Sequence, residues 1–279
     1  MQDASVLSRA DLAEIAGYIR RDNLETVNQK MKAVKAKDTF YTRYGKRAID
    51  IVVSGLALLV TLPINAVIGL VTIFDVGFPI IFKQSRVGKD TKLFTIYKFR
   101  NMTNATDANG ELLPPSQRVT KWGKFVRKTS LDELLNFVSI FTGAMSLIGP
   151  RPLLDYYVDR LHDRHKSIFL VKPGLECPTL HRVDHALSWQ ERLDNYVWYV
   201  ENCSLWVDIR LAFRVAQMAL DRKSTALRST ATHGGLLGYD QDGNVIYNRR
   251  VPDCYIEEFC ANHGFANLEE AVKARGNKQ

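Results

Sequence analysis

The chain has 279 residues, 46% hydrophobic and 24% charged, which excludes a wholly disordered protein and allows one large domain or two small ones. A formal net charge of +8 favours an anionic partner: a membrane surface, nucleic acid or a phosphorylated substrate. Cys177, Cys203, Cys254 and Cys260 show no C-x-x-C pairing and no dense framework, so they read as reduced thiols in a cytosolic setting.

Residues 1–40 carry Leu12, Ile15, Ile19, Leu24 and Val27 at helical spacing, and lack the apolar core of a signal peptide. They are expected to form a helical hairpin or to lie on a membrane. From Ile51 to Phe74 no residue is charged, and Asp50 and Asp75 bracket the run. That exceeds the roughly 20 apolar residues a bilayer-crossing helix needs. Pro63 sits at its midpoint, where it removes a backbone hydrogen bond and kinks a helix. Both flanks are basic: Lys35, Lys37, Arg43, Lys46 and Arg47 before, then Lys83, Arg86, Lys89 and Lys92 after. The positive-inside tendency keeps both on the cytoplasmic side. A helix that enters, bends at Leu62-Pro63 and returns satisfies both constraints and is favoured over a straight span.

Residues 80–84 and 93–97 read as two short strands around a turn at Val87-Gly88-Lys89-Asp90. Residues 103–117, with Asn109-Gly110 and Pro114-Pro115, read as loop. Then comes Arg127-Lys128-Thr129-Ser130-Leu131-Asp132-Glu133-Leu134, two carboxylates behind two cations. Ser130 followed by Glu133 has capping-box spacing, which predicts the first turn of a helix, a place that favours phosphates or a carboxylate-held divalent metal. A carboxylate held among cations is ionised and can serve as nucleophile or metal ligand; a solvated helix cap is the bland alternative. Gly149-Pro150-Arg151-Pro152 is a rigid turn presenting one arginine. Residues 186–222 are helical, with Trp189, Tyr196, Trp198, Tyr199 and Trp206 serving as core or as an interface belt. A hairpin is predicted around Asp242-Gly243, and one or two small helices over 253–275.

Several segments in order resemble the bacterial sugar transferases known as monotopic phosphoglycosyl transferases. They are Lys46-Arg47-Ala48-Ile49-Asp50 ahead of the apolar helix and its proline, Gln84-Ser85-Arg86-Val87-Gly88, Ile96-Tyr97-Lys98-Phe99-Arg100-Asn101-Met102, and residues 120–134. Residues 143–153, Lys172-Pro173-Gly174, Ser188-Trp189 and Trp198-Tyr199-Val200-Glu201-Asn202 follow, so the likeness covers about 43–222. It implies an α-rich α+β fold: a re-entrant membrane helix-break-helix and a small cytoplasmic globular domain with a short β hairpin. The expected division is a helical extension (1–42), a membrane helix (43–78), a catalytic domain (79–223) and a C-terminal extension of unknown role (224–279).

The resemblance also implies chemistry at the cytoplasmic face of a bacterial inner membrane. Asp132 would attack the β-phosphate of a nucleotide diphosphate sugar, UDP-linked by expectation, and polyprenol phosphate would then take the phosphosugar, starting a glycan. Glu133 would assist through metal ligation or a proton, and Asp132 and Glu133 would hold Mg2+. Arg151 would clamp phosphate, with Lys98 and Arg127 as weaker candidates. Partners are the nucleotide sugar, polyprenol phosphate and membrane lipids, not nucleic acid; a homodimer is left open. The chain departs from the family pattern where Pro173-Gly174 runs into Leu-Glu-Cys-Pro-Thr-Leu-His-Arg-Val-Asp184, at Tyr196 (with Asp194 nearby) and at Leu62 before the proline.

Two other classes compete. A catalytically silent membrane scaffold would use the rebuilt 175–184 loop to mark lost substrate binding, and a nucleic-acid module would use the charge and aromatics. Basic residues beside the apolar helix suit anionic lipids equally well. Cys177, His181 and His185, and Cys254, Cys260 and His263, have ligand-like spacing, but structural zinc needs four ligands in tight pairs, so zinc is not expected.

Overall fold

A computed structural model describes residues 1–107, 110, 112–220 and 234–276. Asn109 and the boundary expected at 223/224 lie outside the described residues. Helix α1 (Arg9–Lys30) starts at Ser8, whose side chain accepts from the Asp11 amide at 3.2 Å. One turn of π-helix (Tyr41–Gly45) leads into α2 (Lys46–Val76), which continues helical through Pro63. The loss of one amide donor at Pro63 therefore does not interrupt the helix. Thr61 Oγ1 donates to the Ala57 carbonyl beside it, 2.7 Å away. Along α2 most large apolar side chains face outward, with Leu59, Val60 and Leu62 65–72% exposed at mid-helix. Among the described residues it is the one helix long and apolar enough to cross a membrane.

Both ends of α2 are fixed to the same folded unit. Asp50, buried, accepts from Ser146 Oγ and the Leu147 amide at 3.0 Å each. Arg47 donates to the Ile140 and Phe141 carbonyls. At the far end Asp75 accepts from Thr120 Oγ1 at 2.6 Å, and Trp122 Nε1 reaches Thr72.

The expected hairpin forms as β1 (Ile81–Val87) and β2 (Leu93–Phe99), antiparallel with Ile81 opposite Phe99. The described residues among 103–114 form no helix or strand beyond isolated bridges, and the single turn α3 (Pro115–Arg118) follows. Then come α4 (Lys121–Lys128), α5 (Asn136–Thr142) and β3 (Ser146–Ile148). After α6 (Asp163–Lys166), strand β4 (Gly174–Glu176) pairs parallel with β3. A Cβ on Gly174 would sit 2.1 Å from the Gly149 nitrogen, so this approach needs glycine. Helix α7 (Trp189–Asn202) opens with a capping box from Ser188 and Glu191, and α8 (Leu205–Leu220) follows. Tyr196 and Tyr199 are core residues, while Leu205, Trp206, Ile209 and Phe213 expose a stripe along α8. The aromatic-rich region thus supplies both core and exposed apolar surface.

The C-terminal hairpin β5 (Leu236–Tyr239) and β6 (Val245–Tyr247) turns at Gly243, whose φ of +88° suits glycine. Helices α9 (Asp253–His263) and α10 (Leu268–Gly276) complete the chain. The two ends share one core. Ala4, Leu7, Ile15 and Ile19 are buried against Leu237, Ile246, Val251, Ile256 and Phe259. Gln2 pairs with Val251 as a β-bridge. The N-terminal segment therefore spends its apolar face on the C-terminal extension and not on a hairpin of its own. The fold is α-rich α+β.

Candidate active site

The capping box expected at Ser130 does not form. Ser130 is left-handed (φ +56°), its side chain makes no cap bond, and Leu131–Glu133 is a single 3₁₀ turn ahead of α5. Glu133 is drawn elsewhere because charge-assisted bonds outweigh a neutral amide cap. Its Oε1 accepts from Lys98 Nζ at 2.6 Å and from Arg151 Nη2 at 3.1 Å, and Oε2 lies 3.3 Å from the same Nη2. Lys98 stands near the end of β2 and Arg151 on the Gly-Pro-Arg-Pro turn after β3, so two sheets carry cations to one carboxylate. Arg151 also donates to Glu176 Oε2 at 3.0 Å, yet 42% of its side-chain surface stays open.

Asp132 is buried and accepts from Asn101 Nδ2 at 3.1 Å. Burial pushes its carboxyl above the ordinary value and the Glu133 charge adds to this, while Lys98 and Arg127 pull it back. Burial alone would raise Glu133 too, but Arg151 and Lys98 outweigh it and hold that carboxyl low. Arg151 is kept firmly charged because Glu176 and Glu133 overcome its desolvation. The result is one carboxylate locked in ion pairs beside a second that is buried and less compensated.

Lys98, Asp132, Glu133 and Arg151 converge. Arg127 stays exposed at the end of α4 and acts on Asp132 through its charge. Leu62 and Pro63 belong to the exposed middle of α2, apart from this cluster. Sequence reasoning missed Asn101, although it stands in the quoted Arg100-Asn101-Met102 element, and it missed Glu176 in the rebuilt loop. Neither residue type signals its role until the fold sets its partner. The loop is anchored by Asn195 Nδ2, which donates to the Cys177 carbonyl at 3.1 Å.

Among the described residues no cluster of three or more His, Cys, Asp or Glu could hold a metal, and the two Cys/His sets do not assemble one. Magnesium, however, is commonly bound by one or two carboxylates together with substrate phosphates. Asp132 and Glu133 fit that manner of binding. Glu133 Oε2 carries only the long Arg151 contact and keeps lone-pair capacity.

A sequence model of the family described as bacterial sugar transferase matches residues 41–222. The chain is 40% identical over 136 residues to an uncharacterized sugar transferase, EpsL, of Bacillus subtilis, covering 49% of this chain and 67% of that one. It is 33% identical over 198 residues to the undecaprenyl-phosphate galactose phosphotransferase of Salmonella typhimurium, covering 65% and 41%. It is 32% identical over 195 residues to the exopolysaccharide production protein PSS of Rhizobium leguminosarum, covering 63% and 96%. The chain thus spans about two-fifths of the length of several curated relatives it matches.

Proposed function

Because this chain belongs to the bacterial sugar transferase family, we propose that it moves a sugar-1-phosphate from a nucleotide diphosphate sugar, UDP-linked, to polyprenol phosphate. The observation that carries this reading is the Asp132–Glu133 pair, set between Lys98 and Arg151 in a chain with one long apolar helix. The names of the Salmonella relative and of the UDP-glucose:undecaprenyl-phosphate glucose-1-phosphate transferase of Escherichia coli supply the donor and acceptor classes.

In the first step an Asp132 carboxylate oxygen bonds to the β-phosphorus. The bond from that phosphorus to the bridging oxygen breaks, and nucleoside monophosphate leaves with the electron pair. In the second step a phosphate oxygen of polyprenol phosphate attacks the same phosphorus and Asp132 departs as carboxylate. The buried, incompletely compensated Asp132 is suited to attack, and the Glu133 ion pairs hold Lys98 and Arg151 where phosphoryl charge develops. Asn101 fixes one Asp132 oxygen. Magnesium, held by Asp132 and Glu133 with the diphosphate, would neutralise charge on the transferred group.

The membrane reading rests on α2. About 25 residues separate Asp50 from Asp75, roughly 37 Å along a straight helix, yet their partners Ser146 and Thr120 belong to one folded unit. The docking of both ends on one folded unit, with Leu59, Val60 and Leu62 exposed between them, supports a helix that enters one leaflet and returns to the same side. The α8 stripe adds apolar surface for the same membrane, and the folded unit would face the cytoplasm.

The test is transfer of radiolabel from a panel of UDP-sugars to undecaprenyl phosphate with magnesium, for the native chain and Asp132→Asn. Label reaching lipid with the native chain alone is expected. Transfer by Asp132→Asn overturns the nucleophile assignment, and no transfer from folded native protein across the panel favours a silent scaffold.

A further inference from the structure

Behind the Glu133–Arg151 ion pair lies a cavity of about 70 Å³. Arg86, Lys98, Glu133, Asn136 and Arg151 line it, with Gly174 and Leu175 at the start of the rebuilt loop. Two buried polar atoms in this lining lack a hydrogen-bond partner among the described residues: Arg86 Nε, a donor, and Asn136 Oδ1, an acceptor. Orphaned buried groups are costly, and both here belong to residues that share one cavity.

The remaining Arg86 bonds explain why Nε is left over. Nη1 donates to the Pro152 carbonyl at 3.2 Å and Nη2 to Gln84 Oε1 at 2.8 Å, which fixes the guanidinium plane. Burial, and then the like charge of Arg151, push the Arg86 pKa down. Three cations and one carboxylate around a small space favour an anion. Asn136 Oδ1 asks for a donor, which a fully ionised phosphate lacks but a neighbouring hydroxyl has. The volume admits a phosphoryl group with adjacent hydroxyls and not a whole nucleotide.

We propose that this cavity takes the phosphoryl end of the glycosyl phosphate being transferred, with Arg86 Nε donating to a phosphoryl oxygen and Asn136 Oδ1 accepting from an adjacent sugar hydroxyl. The inference rests on the reaction proposed above and adds two binding residues to it. Asn136 then belongs to sugar selection, and Arg86 to holding the phosphorus that Asp132 attacks.

The experiment measures affinities of UMP, UDP and the UDP-sugar used in turnover for the full-length chain in detergent, native and as Asn136→Leu and Arg86→Lys. Asn136→Leu should weaken the UDP-sugar about tenfold and leave UDP and UMP within about twofold. Arg86→Lys keeps the charge but lacks Nε, so it should weaken UDP and UDP-sugar alike, about tenfold, and spare UMP. Asn136→Ser should reproduce the split if the leucine variant does not fold. Unchanged UDP-sugar affinity in both variants, or an equal fall for UMP, overturns the assignment and leaves the reaction standing. A native chain that binds none of the three overturns the reaction and the assignment together.

Discussion

Asn101 donates through Nδ2 to Asp132 Oδ2 at 3.1 Å, so a neutral amide holds the carboxylate proposed as nucleophile while cations hold its neighbour. Such a group aims an oxygen without neutralising it. Asn101→Ala is expected to lower kcat roughly 10- to 100-fold, the range seen when an orienting partner is lost. The nucleotide-sugar KM should stay near native. A fall in affinity with kcat unchanged would mean that Asn101 binds substrate instead.

The two carboxyls also set a pH dependence. Burial first, and the Glu133 charge second, raise Asp132, which must be ionised to attack. The acid limb of kcat/KM is therefore expected above the pH of an unshifted aspartate. Lys98 lowers the Asp132 value, so Lys98→Met should move that limb to still higher pH and cost more activity at pH 6 than at pH 8. A limb that stays put, or moves down, would remove Asp132 from the rate profile.

An acid with a raised folded pKa binds its proton more tightly when folded, so its ionised form detracts from stability once pH exceeds the unfolded value. Asp132→Asn removes that burden while keeping an acceptor for Asn101. The inactive variant is expected to melt higher than the native chain at pH 7, by roughly 1 kcal/mol or about 2–4 °C. The gap should close below the ordinary aspartate value of 3.8. A lower melting temperature at pH 7 would show that the charge is compensated better than its surroundings suggest.

These contrasts mark what the sequence carried. The β1–β2 hairpin, the Asp242-Gly243 turn and helices α7 and α8 follow from local pattern and turn residues, so they were legible. The Ser130–Glu133 spacing misled because capping is a local bargain, and Glu133 had stronger partners 35 and 18 positions away. No local signal joins Ile15 to Phe259, or Arg86 to Asn136. Such pairings exist only after the chain closes, which is why the shared core of the two ends and the cavity were illegible. Asp132, Glu133, Lys98 and Arg151 could be singled out because their motifs are continuous in sequence.

The docking of both α2 ends gives a topology test. Phe40 and Phe78 flank the helix and are 79% and 75% exposed. In a Cys254→Ser background, Phe40→Cys and Phe78→Cys should both react with an impermeant thiol reagent from the cytoplasmic side of the membrane. Labelling of the two positions from opposite sides would establish a spanning helix, and the polar anchors at Asp50 and Asp75 would then have to separate.

The shared core of the chain ends makes the last prediction. Phe259 is fully buried among Ile15, Ile19 and the β5–β6 hairpin cluster, and Arg21 pairs with Glu258 on the same helix. Replacing a buried phenylalanine by alanine costs about 3–5 kcal/mol. The core that holds Phe259 should loosen first, since Leu193, Tyr196 and Leu211 belong to a different cluster in the family-matched region. Phe259→Ala should therefore free α1, and limited trypsin treatment should cut at Arg20 and Arg21 well before the 46–220 region. Membrane retention should persist, because α2 is docked through Asp50 and Asp75 and not through this core. Cleavage at Arg20 and Arg21 no faster than in the native chain would show that α1 is held by the catalytic unit, through residues such as Val27 in the main core, and not by the C-terminal extension.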